Sequence, residues 1–344
     1  MRRTPCLRAT SAPTRRKAAS SWSARRLKTS SKRWRWPVPS EPVHNAGHTH
    51  PPRTLVTGGS GFLGSHVADA LSDAGHEVTI LDAMESQHLR PDQRMVVGDI
   101  LDDELLASVS NGMDYIYHFA GLADIDECET RPADVAAVNI LGTVRLLEAC
   151  AHVRRFVFAS SAYVYSAAGS FYRSSKQACE AFIEDFHEQR GLPYTILRYG
   201  SLYGTRADER NSIHRLLRQA LRDKRIAYHG TGEEVREYIH VEDAARISVQ
   251  ILDPVYENER IMLTGTEKMR YADLLQMIRE MLRGEVTIDM LPSTRKAHYT
   301  LTPYNFSPKP GKKLTANPHI DMGQGLLQCM AEIYEDLHSD HGDA

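Results

Sequence analysis

From residue 53 onward, the chain alternates short apolar runs with longer amphipathic segments. The run "RTLVT" predicts a strand that ends at Thr57, and a glycine-rich turn then leads into a helix that stops at Gly75. The next apolar run predicts a second strand, which ends at Asp82. These elements form a β-α-β unit.

The same alternation continues through three further strands. "RMVVGDI" predicts a third strand, "DYIYHFAG" a fourth that ends near Ala120 and Gly121, and "RFVFASS" a fifth that ends at Ser160 and Ser161, with helices between them. Strands that alternate with helices indicate a parallel, doubly wound sheet. The predicted fold is therefore α/β, a Rossmann-type sheet with a smaller, mostly C-terminal α/β substrate domain.

The predicted organisation has four parts. These are a basic leader over 1–52, a dinucleotide-binding domain over 53–198, a mainly substrate-binding domain over 199–338 with segments that return to the first domain, and a tail over 339–344. In the third part, "SIHRLLRQALRDK", "YADLLQMIREML" and "MGQGLLQCMAEIYEDL" predict helices whose apolar stripes pack in a core.

The turn after Thr57 satisfies two glycine spacings at once. Gly59, Gly61 and Gly64 form G-x-G-x-x-G, and Gly58, Gly61 and Gly64 form G-x-x-G-x-x-G. Glycine lets the chain turn tightly and lets a pyrophosphate approach the amides at the helix N-terminus. Because a strand precedes this turn and a helix follows it, the pattern predicts a dinucleotide site. The cofactor-binding residues assigned to the turn are Gly58, Gly61, Phe62, Leu63 and Gly64.

Asp82 lies about twenty residues beyond that turn, at the end of the second strand, where an acid hydrogen-bonds the adenosine ribose hydroxyls. A carboxylate there repels a 2′-phosphate, and no Lys or Arg follows it before Arg90. NAD is therefore predicted rather than NADP. Asp99, Ala120 and Ser161 also follow predicted strands, at the sheet edge where ligands bind in such folds.

Ser161, Tyr172 and Lys176 bring three proton-handling groups into sixteen residues. A helix predicted from Ser174 to Gly191 places Tyr172 and Lys176 on one side of its first turn. A tyrosine has a pKa near 10, so a nearby ammonium and a positively charged nicotinamide are needed to stabilise its phenolate. This arrangement predicts a hydride-transfer site. The same helix is predicted to have an apolar face, formed by Ala178, Phe182 and Phe186.

Length and composition exclude several classes of protein. The chain has 344 residues, of which 42% are hydrophobic, and no run approaches the length of a membrane helix. Its five cysteines are odd in number and scattered, so they indicate neither a disulfide framework nor a zinc site. The sixteen histidines form no metal-like cluster, and His240 and His298 are interpreted as loop residues. We expect a soluble cytoplasmic protein without a metal or a membrane partner.

The leader has a different composition from the rest of the chain. Residues 1–52 contain twelve Lys or Arg and one acid, whereas the remaining residues carry a net charge of −13. A transit peptide, a segment that binds nucleic acid or an anionic surface, and a stretch that is not part of the native enzyme are all compatible with this composition. We favour the last, with the leader disordered, and the acidic remainder argues against a nucleic-acid partner.

Five motifs follow one another along the chain: "TGGSGFLG", "SSAYVY", "YRSSK", "RYGSLYG" and "VREYIHVEDAA". Taken in this order they are similar to those of the extended short-chain dehydrogenase/reductases, in particular the NAD-dependent sugar-nucleotide epimerase/dehydratase group. The resemblance covers residues 53 to about 265. It implies that Ser161 is the catalytic hydroxyl, that Tyr172 is the acid/base, and that Lys176 binds the nicotinamide ribose and lowers the tyrosine pKa.

The resemblance also implies further contacts. Asn139 would lie near the nicotinamide ribose, and Asp99 with Ile100 near the adenine, while Ala120 and Gly121 complete the cofactor set. Arg236 would contact the diphosphate of a nucleoside-diphosphate sugar, with a surface ion pair to Glu233 or Glu237 as the alternative. Ser160 and Ser201 would contact the substrate. A homodimer through helices near 133–150 and 174–190 is expected by resemblance.

The resemblance implies epimerisation at C4 through transient oxidation by NAD. A net reductase or dehydrogenase and a non-catalytic NAD-binding regulator remain alternatives. The relatives that dehydrate or decarboxylate place an acid close after the catalytic hydroxyl, whereas Ala162 and Tyr163 stand here. The segment before Tyr172 is short, and only Lys309, Lys312 and Lys313 are available where a second phosphate-binding arginine is expected.

Overall fold

The protein is described by a computed structural model, which covers residues 50–150, 152–265, 268–292, 298 and 300–301. The strands in this part of the chain are β1 Arg53–Thr57, β2 Glu77–Asp82, β3 Gln93–Val97, β4 Tyr115–His118, β5 Arg155–Ser161, β6 Tyr194–Tyr199, β7 Ser201–Tyr203, β8 Arg225–His229, β9 Val235–His240, β10 Glu259–Leu263, β11 Lys268–Arg270 and β12 Thr287–Leu291.

The α-helices within the same ranges are α1 Phe62–Asp73, α2 Asp103–Ser110, α3 Ile125–Thr130, α4 Pro132–Val135, α5 Gly142–Ala149, α6 Ser170–Arg190, α7 Ser212–Asp223, α8 Val241–Gln250 and α9 Tyr271–Met281. A π-helical turn over Ala136–Leu141 joins α4 to α5, and a 3-10 turn over Ala162–Tyr165 follows β5.

Seven strands form the main sheet, in the order β10-β6-β5-β4-β1-β2-β3, and every pairing between them is parallel. The chain winds outward from β1 in one direction to β3 and then crosses back to β4 on its other side. This confirms the predicted doubly wound Rossmann-type sheet. Ligands bind in the crevice at such a reversal, beyond the carboxyl ends of β1 and β4.

The remaining strands belong to two smaller sheets, β11-β9-β7 and β12-β8. Helices α7 and α9 pack with them around a separate cluster that includes Leu216, Ile226, Leu275 and Ile278. Strand β10, although late in the chain, pairs with β6 in the main sheet. The boundaries of the two predicted domains stay a prediction.

Both faces of the main sheet are buried, which explains why its strands are continuous apolar runs. Leu55 of β1 and Phe156 of β5 belong to one apolar cluster, and their neighbours Val56 and Val157 belong to another. Because successive side chains of a strand point to opposite faces, the two clusters lie on opposite sides of the sheet.

Helix α6 differs from its prediction in two respects. It begins at Ser170 rather than Ser174, after Gly169 with a φ of 103°. The predicted apolar face is wrong at Phe182, which is 40% exposed, whereas Phe186 packs against the core. The buried side chains on this helix are Ser175, Lys176, Cys179, Glu180 and Ile183. The buried stripe is largely polar because it packs against polar groups at the sheet edge, which hydrophobic periodicity does not reveal.

Other boundaries follow the predictions closely. Strands β1, β2 and β5 end at Thr57, Asp82 and Ser161 as predicted, whereas β4 ends at His118, two residues before Ala120. The predicted helices "SIHRLLRQALRDK" and "YADLLQMIREML" correspond to α7 and α9. His240 is not a loop residue: it ends β9, and its side chain caps α8 by accepting from the Glu242 amide.

Several predictions fall outside the described residues. These are the leader, predicted to be disordered, apart from its last three residues, the helix predicted at "MGQGLLQCMAEIYEDL", the three lysines from 309 to 313, and the tail. Among the helices that the structure describes, none has the length and apolarity needed to cross a membrane.

Candidate active site

The glycine turn between β1 and α1 is a tight cradle at the start of a helix. Gly58 has a φ of 73°, and a Cβ built on it would lie 2.5 Å from the Ala120 amide nitrogen. A Cβ on Gly64 would lie 2.2 Å from the Gly58 carbonyl oxygen. Gly61 precedes α1 and provides no side-chain cap, so the first amides of the helix have no side-chain acceptor from this residue. The cradle fits a pyrophosphate.

Phe62 and Leu63 form the first residues of α1, as the sequence motif requires. Asp82 lies across from them at the end of β2. Its carboxylate accepts from the amide of Ser60 at 2.9 Å and from the amide of Met84 at 3.2 Å. These two hydrogen bonds hold the carboxylate against the glycine turn, where a bound ribose is expected.

The other predicted cofactor residues lie beyond the ends of β3 and β4. Asp99 is exposed, and its carboxylate accepts from the Leu101 amide at 2.9 Å. Ile100 is buried in the core. Ala120 abuts Gly58, while Gly121 has a φ of 153° and packs against the Asn139 side chain. These residues lie along the carboxyl edge of the sheet.

Ser161, Tyr172 and Lys176 are positioned by β5 and α6. The Ser161 hydroxyl, at the last residue of β5, accepts from the Tyr163 amide at 3.3 Å. The Lys176 ammonium lies 5.9 Å from the centroid of the half-buried Tyr172 ring and 4.7 Å from that of Phe158. The ammonium therefore lies against the phenol ring that it is predicted to activate.

Burial sets the electrostatics of Lys176. The side chain is buried, and the loss of hydration lowers the pKa of the ammonium below its usual value. The Cys179 thiol and the Glu180 carboxylate, the latter one turn further along α6, oppose that shift and raise the pKa. Glu180 thus favours the charged form of Lys176, which is the form that stabilises a phenolate.

Asn139 lies in the π-helical turn and is 2% exposed. Its amide nitrogen donates to the Ser175 hydroxyl at 3.0 Å, and its amide oxygen accepts from the Leu122 amide at 2.7 Å. Ser175 in turn donates to the Tyr172 carbonyl at 2.8 Å. Asn139 therefore connects the loop after β4 to the first turns of α6, while its contact with a cofactor stays a prediction.

His118 is a buried residue of the site that sequence reasoning missed. Its Nδ1 lies 2.7 Å from the Thr57 hydroxyl at the end of β1, and its Nε2 lies 2.9 Å from the Thr143 hydroxyl of α5. Thr143 donates to the Asn139 carbonyl at 2.5 Å. Burial lowers the pKa of His118 to about 3. A neutral imidazole thus joins the glycine turn to the turn that contains Asn139.

A second missed group lies one turn along α6 from Lys176, on the same buried stripe. Glu180 and Arg198 form an ion pair whose side chains are only 9% and 12% exposed, and the Arg198 Nε donates to the same carboxylate at 3.0 Å. The Ser160 hydroxyl donates to Glu180 as well. Ser160 therefore binds within the protein, and its predicted contact with a substrate stays a prediction.

The predicted phosphate ligand Arg236 lies in β9 and is buried. Its guanidinium donates to the Thr300 carbonyl at 3.4 Å and lies 5.7 Å from the centroid of the Tyr271 ring. Glu233 and Glu237 were the alternative ion-pair partners considered for Arg236. Glu233 pairs with Arg270, and Glu237 pairs with Lys268. Ser201 lies on the neighbouring strand β7, opposite Tyr238.

His298 is the third group that sequence reasoning missed, because it was interpreted as a loop residue. Its Nδ1 lies 2.9 Å from the Tyr163 hydroxyl, and its Nε2 lies 3.1 Å from the Asp126 carboxylate. The Tyr163 ring also packs edge-to-face against Tyr172, with centroids 6.3 Å apart. The array of Tyr163, His298 and Asp126 is visible only in the folded structure, because its three residues are far apart in sequence.

The fold and the glycine cradle define a dinucleotide-binding α/β protein whose candidate catalytic groups lie at the carboxyl edge of a parallel sheet. Across the resolved segments, no group of three or more His, Cys, Asp or Glu side chains is arranged to hold a metal ion. The chain belongs to the NAD-dependent epimerase/dehydratase family, whose pattern matches residues 54–263. Membership of this family makes NAD the cofactor, in agreement with the prediction from Asp82.

Curated relatives and solved structures place the chain among enzymes that act on sugar nucleotides. It is 31% identical over 279 residues to a UDP-glucose 4-epimerase of Azospirillum brasilense, covering 71% of this chain and 80% of that protein. It is 26% identical over 323 residues to a UDP-N-acetyl-alpha-D-glucosaminuronate decarboxylase of Bacillus cytotoxicus, covering 83% of this chain and 99% of that protein.

Among solved structures, it is similar to a UDP-glucuronic acid 4-epimerase of Bacillus cereus in complex with UDP-glucuronic acid and NAD. The TM-score is 0.67 and the identity 26%, with 75% of this chain and 95% of the other covered. The family resemblance drawn from the five motifs is therefore confirmed. The chain is an enzyme of the sugar-nucleotide epimerase, dehydratase and decarboxylase group.

Proposed function

We propose that the protein is an NAD-dependent epimerase that acts at C4 of a nucleoside-diphosphate sugar, with Tyr172 as the acid/base. The observation that carries this proposal is the position of the Lys176 ammonium against the Tyr172 ring. Nearby positive charge lowers the pKa of a phenol, which an acid/base near neutral pH requires.

Each protein group has a role in this reaction. NAD, when bound, supplies the means to remove a hydride from C4 and to return it to the other face. Tyr172 takes the proton of the C4 hydroxyl and gives it back to the product. Ser161 hydrogen-bonds the same oxygen, and Lys176 stabilises the phenolate while it lasts.

The proposed substrate is a UDP-sugar, since the similar epimerases named above act on UDP-sugars. Arg236 is proposed to bind the diphosphate, because a forked guanidinium suits phosphate oxygens. Ser160 and Ser201 are proposed to contact the sugar from the end of β5 and the start of β7.

A second candidate is net oxidation at C4, with or without decarboxylation of a sugar acid. The match to the Bacillus cytotoxicus decarboxylase over nearly its whole length supports it. It differs from epimerisation in its products, because reduced cofactor or a shortened sugar would accumulate.

We also propose that the protein acts as a homodimer in the cytoplasm. Phe182 on α6 and Leu141 beside α5 are 40% and 44% exposed. Both lie in the two segments through which a dimer is expected, and exposed aromatic or aliphatic side chains are typical of protein interfaces.

The test uses purified protein incubated with UDP-, GDP-, CDP- and dTDP-sugars, followed by NADH absorbance and by NMR of the sugar. We expect inversion at C4 without accumulated NADH, and a loss of about 100-fold or more in Tyr172→Phe with NAD binding retained. Tyr256→Phe, which alters an exposed tyrosine far along the chain, is the matched control. Accumulated NADH or released CO2 would favour the second candidate, and full activity of Tyr172→Phe would refute the assigned acid/base.

A further inference from the structure

Three residues from distant parts of the chain form a hydrogen-bonded array beside Tyr172. Tyr163 lies in the 3-10 turn after β5, Asp126 lies in α3, and His298 lies far along the chain. The Tyr163 hydroxyl lies 2.9 Å from His298 Nδ1, and His298 Nε2 lies 3.1 Å from the Asp126 carboxylate.

The Asp126 carboxylate determines how the protons are arranged in this array. An ionised carboxylate only accepts, so His298 Nε2 carries a proton and donates it to Asp126. In the neutral tautomer that has its proton on Nε2, Nδ1 has none, and Nδ1 accepts from the Tyr163 hydroxyl. This is the order of an acidic hydroxyl, an imidazole base and an orienting carboxylate that activates a proton-handling group in other enzymes.

Tyr163 also contacts two candidate catalytic residues, Ser161 and Tyr172. Its amide donates to the Ser161 hydroxyl at 3.3 Å, and its ring packs against the Tyr172 ring at 6.3 Å. The Tyr163 ring therefore lies against the ring of the proposed acid/base Tyr172.

The other end of the array reaches solvent. The side chains of His298 and Asp126 are 31% and 45% exposed, whereas Tyr163 is partly buried. Protons that reach His298 can therefore exchange with water, while the Tyr163 ring contacts Tyr172.

We propose that Tyr163, oriented by His298 and Asp126, is a second acid/base residue that removes and returns a proton at a sugar carbon next to a C4 ketone. The proposal rests on the function given above, since oxidation at C4 is what acidifies the neighbouring C–H bonds. Tyr163 would be the catalytic residue of this step, and His298 and Asp126 its positioning residues.

The step conserves atoms and electrons. The C–H bond at C3 or C5 breaks, its proton goes to the Tyr163 oxygen, and the Tyr163 hydroxyl proton goes to His298 Nδ1. The electron pair of that bond forms a C=C bond, and the carbonyl pair moves to oxygen, which takes a proton from Tyr172. The product is an enol, nothing is oxidised or reduced, and the reverse step restores the ketone.

In D2O the protons of the array are replaced by deuterons. The array then returns a deuteron, so deuterium appears at that carbon. The experiment supplies a preformed 4-keto sugar nucleotide, UDP-4-keto-6-deoxyglucose, to the full-length enzyme in D2O. Deuterium at C3 and C5 is followed by NMR and mass spectrometry, with an enzyme-free sample for the background rate.

We expect exchange well above background in the unaltered protein and a loss of about 100-fold or more in Tyr163→Phe, as for the removal of a general base. Phe keeps the ring contact with Tyr172. Tyr165→Phe is the matched control, because it removes a hydroxyl from the same 3-10 turn, one that bonds to Arg198 and lies outside the array. We expect it to retain exchange.

His298→Gln and Asp126→Asn extend the test. Both are expected to slow exchange while NAD affinity and inversion at C4 change by less than about threefold, a separation that a purely structural role would not produce. Asp126→Asn alters an exposed side chain, so it keeps the test open if Tyr163→Phe folds poorly.

Exchange at the enzyme-free rate would overturn the proposal, as would equal exchange in Tyr163→Phe and the unaltered protein. Because the ketone is supplied directly, failure of this inference is distinguishable from failure of the proposed epimerase activity. Exchange without any C4 inversion of UDP-sugars would refute the epimerase alone, and inversion without exchange would refute the array.

Discussion

Replacing His118 by glutamine tests whether the buried link between the glycine turn and the π-helical turn contains a neutral imidazole. The imidazole is 1% exposed and lies between the hydroxyls of Thr57 and Thr143. Burial lowers its pKa to about 3 from an ordinary value of 6.5. The folded protein therefore keeps this ring neutral over a pH range in which the unfolded chain protonates it.

The sign and size of the effect follow from proton linkage. Between pH 3 and 6.5 the unfolded state binds more protons than the folded state. The contribution of His118 to stability is therefore complete above pH 6.5 and is lost as the pH falls towards 3. Between about pH 7.5 and pH 5, His118 alone should lower the free energy of unfolding by about 2 kcal/mol. Glutamine does not titrate, so this part of the pH dependence disappears in His118→Gln, whatever the variant loses in hydrogen bonds.

Urea unfolding at pH 7.5 and pH 5, with the same saturating NAD, measures the free energy of unfolding of the unaltered protein and of His118→Gln. The change between the two pH values is then compared between the two proteins. His76, whose pKa burial lowers to about 4, contributes equally to both and cancels. NMR titration of the His118 ring gives a direct check. A ring that titrates near pH 6.5 in the folded protein, or parallel pH profiles of the two proteins, would refute the reasoning.

Three further predictions concern the cofactor site and the buried ion pair. Gly64→Ala should weaken NAD binding at least tenfold by calorimetry, because its Cβ would meet the Gly58 carbonyl at 2.2 Å. Gly75→Ala meets nothing within 4 Å, and its φ of 88° should lower stability while NAD binding stays unchanged. Asp82→Asn should raise the affinity for NADP relative to NAD, since it removes the charge that repels a 2′-phosphate; an unchanged ratio would contradict the role given to this carboxylate. Glu180→Gln should destabilise the protein by about 3 kcal/mol in urea unfolding, because Arg198 is left buried without its partner. Glu184→Gln, whose pair with Arg260 is partly exposed, should cost less than about 1 kcal/mol, and equal losses in the two variants would refute the distinction.

Much of the fold follows from local patterns. The strands that end at Thr57, Asp82 and Ser161 were predictable because both faces of the main sheet are buried, so each strand is a continuous apolar run bounded by turn residues. The β-α-β unit around the glycine turn was equally predictable, since glycine spacing and a following acid describe one local unit.

Helix α6 shows where such patterns fail. Its periodicity suggested an apolar face with Phe182, yet the buried side chains include Lys176 and Glu180. Hydrophobic periodicity assumes that the buried side of a helix is apolar. At a site where polar groups are buried in pairs, that assumption selects the wrong face.

By itself the sequence determined the sheet, the glycine cradle, and the spacing of Tyr172 and Lys176, since each depends on residues close together in the chain. Only the tertiary structure decided which polar side chains are buried together. His118 meets Thr57 across 61 residues, and His298 meets Asp126 across 172. A buried polar group must find a hydrogen-bond partner wherever the fold brings one close, and nothing in the local sequence specifies which residue that will be.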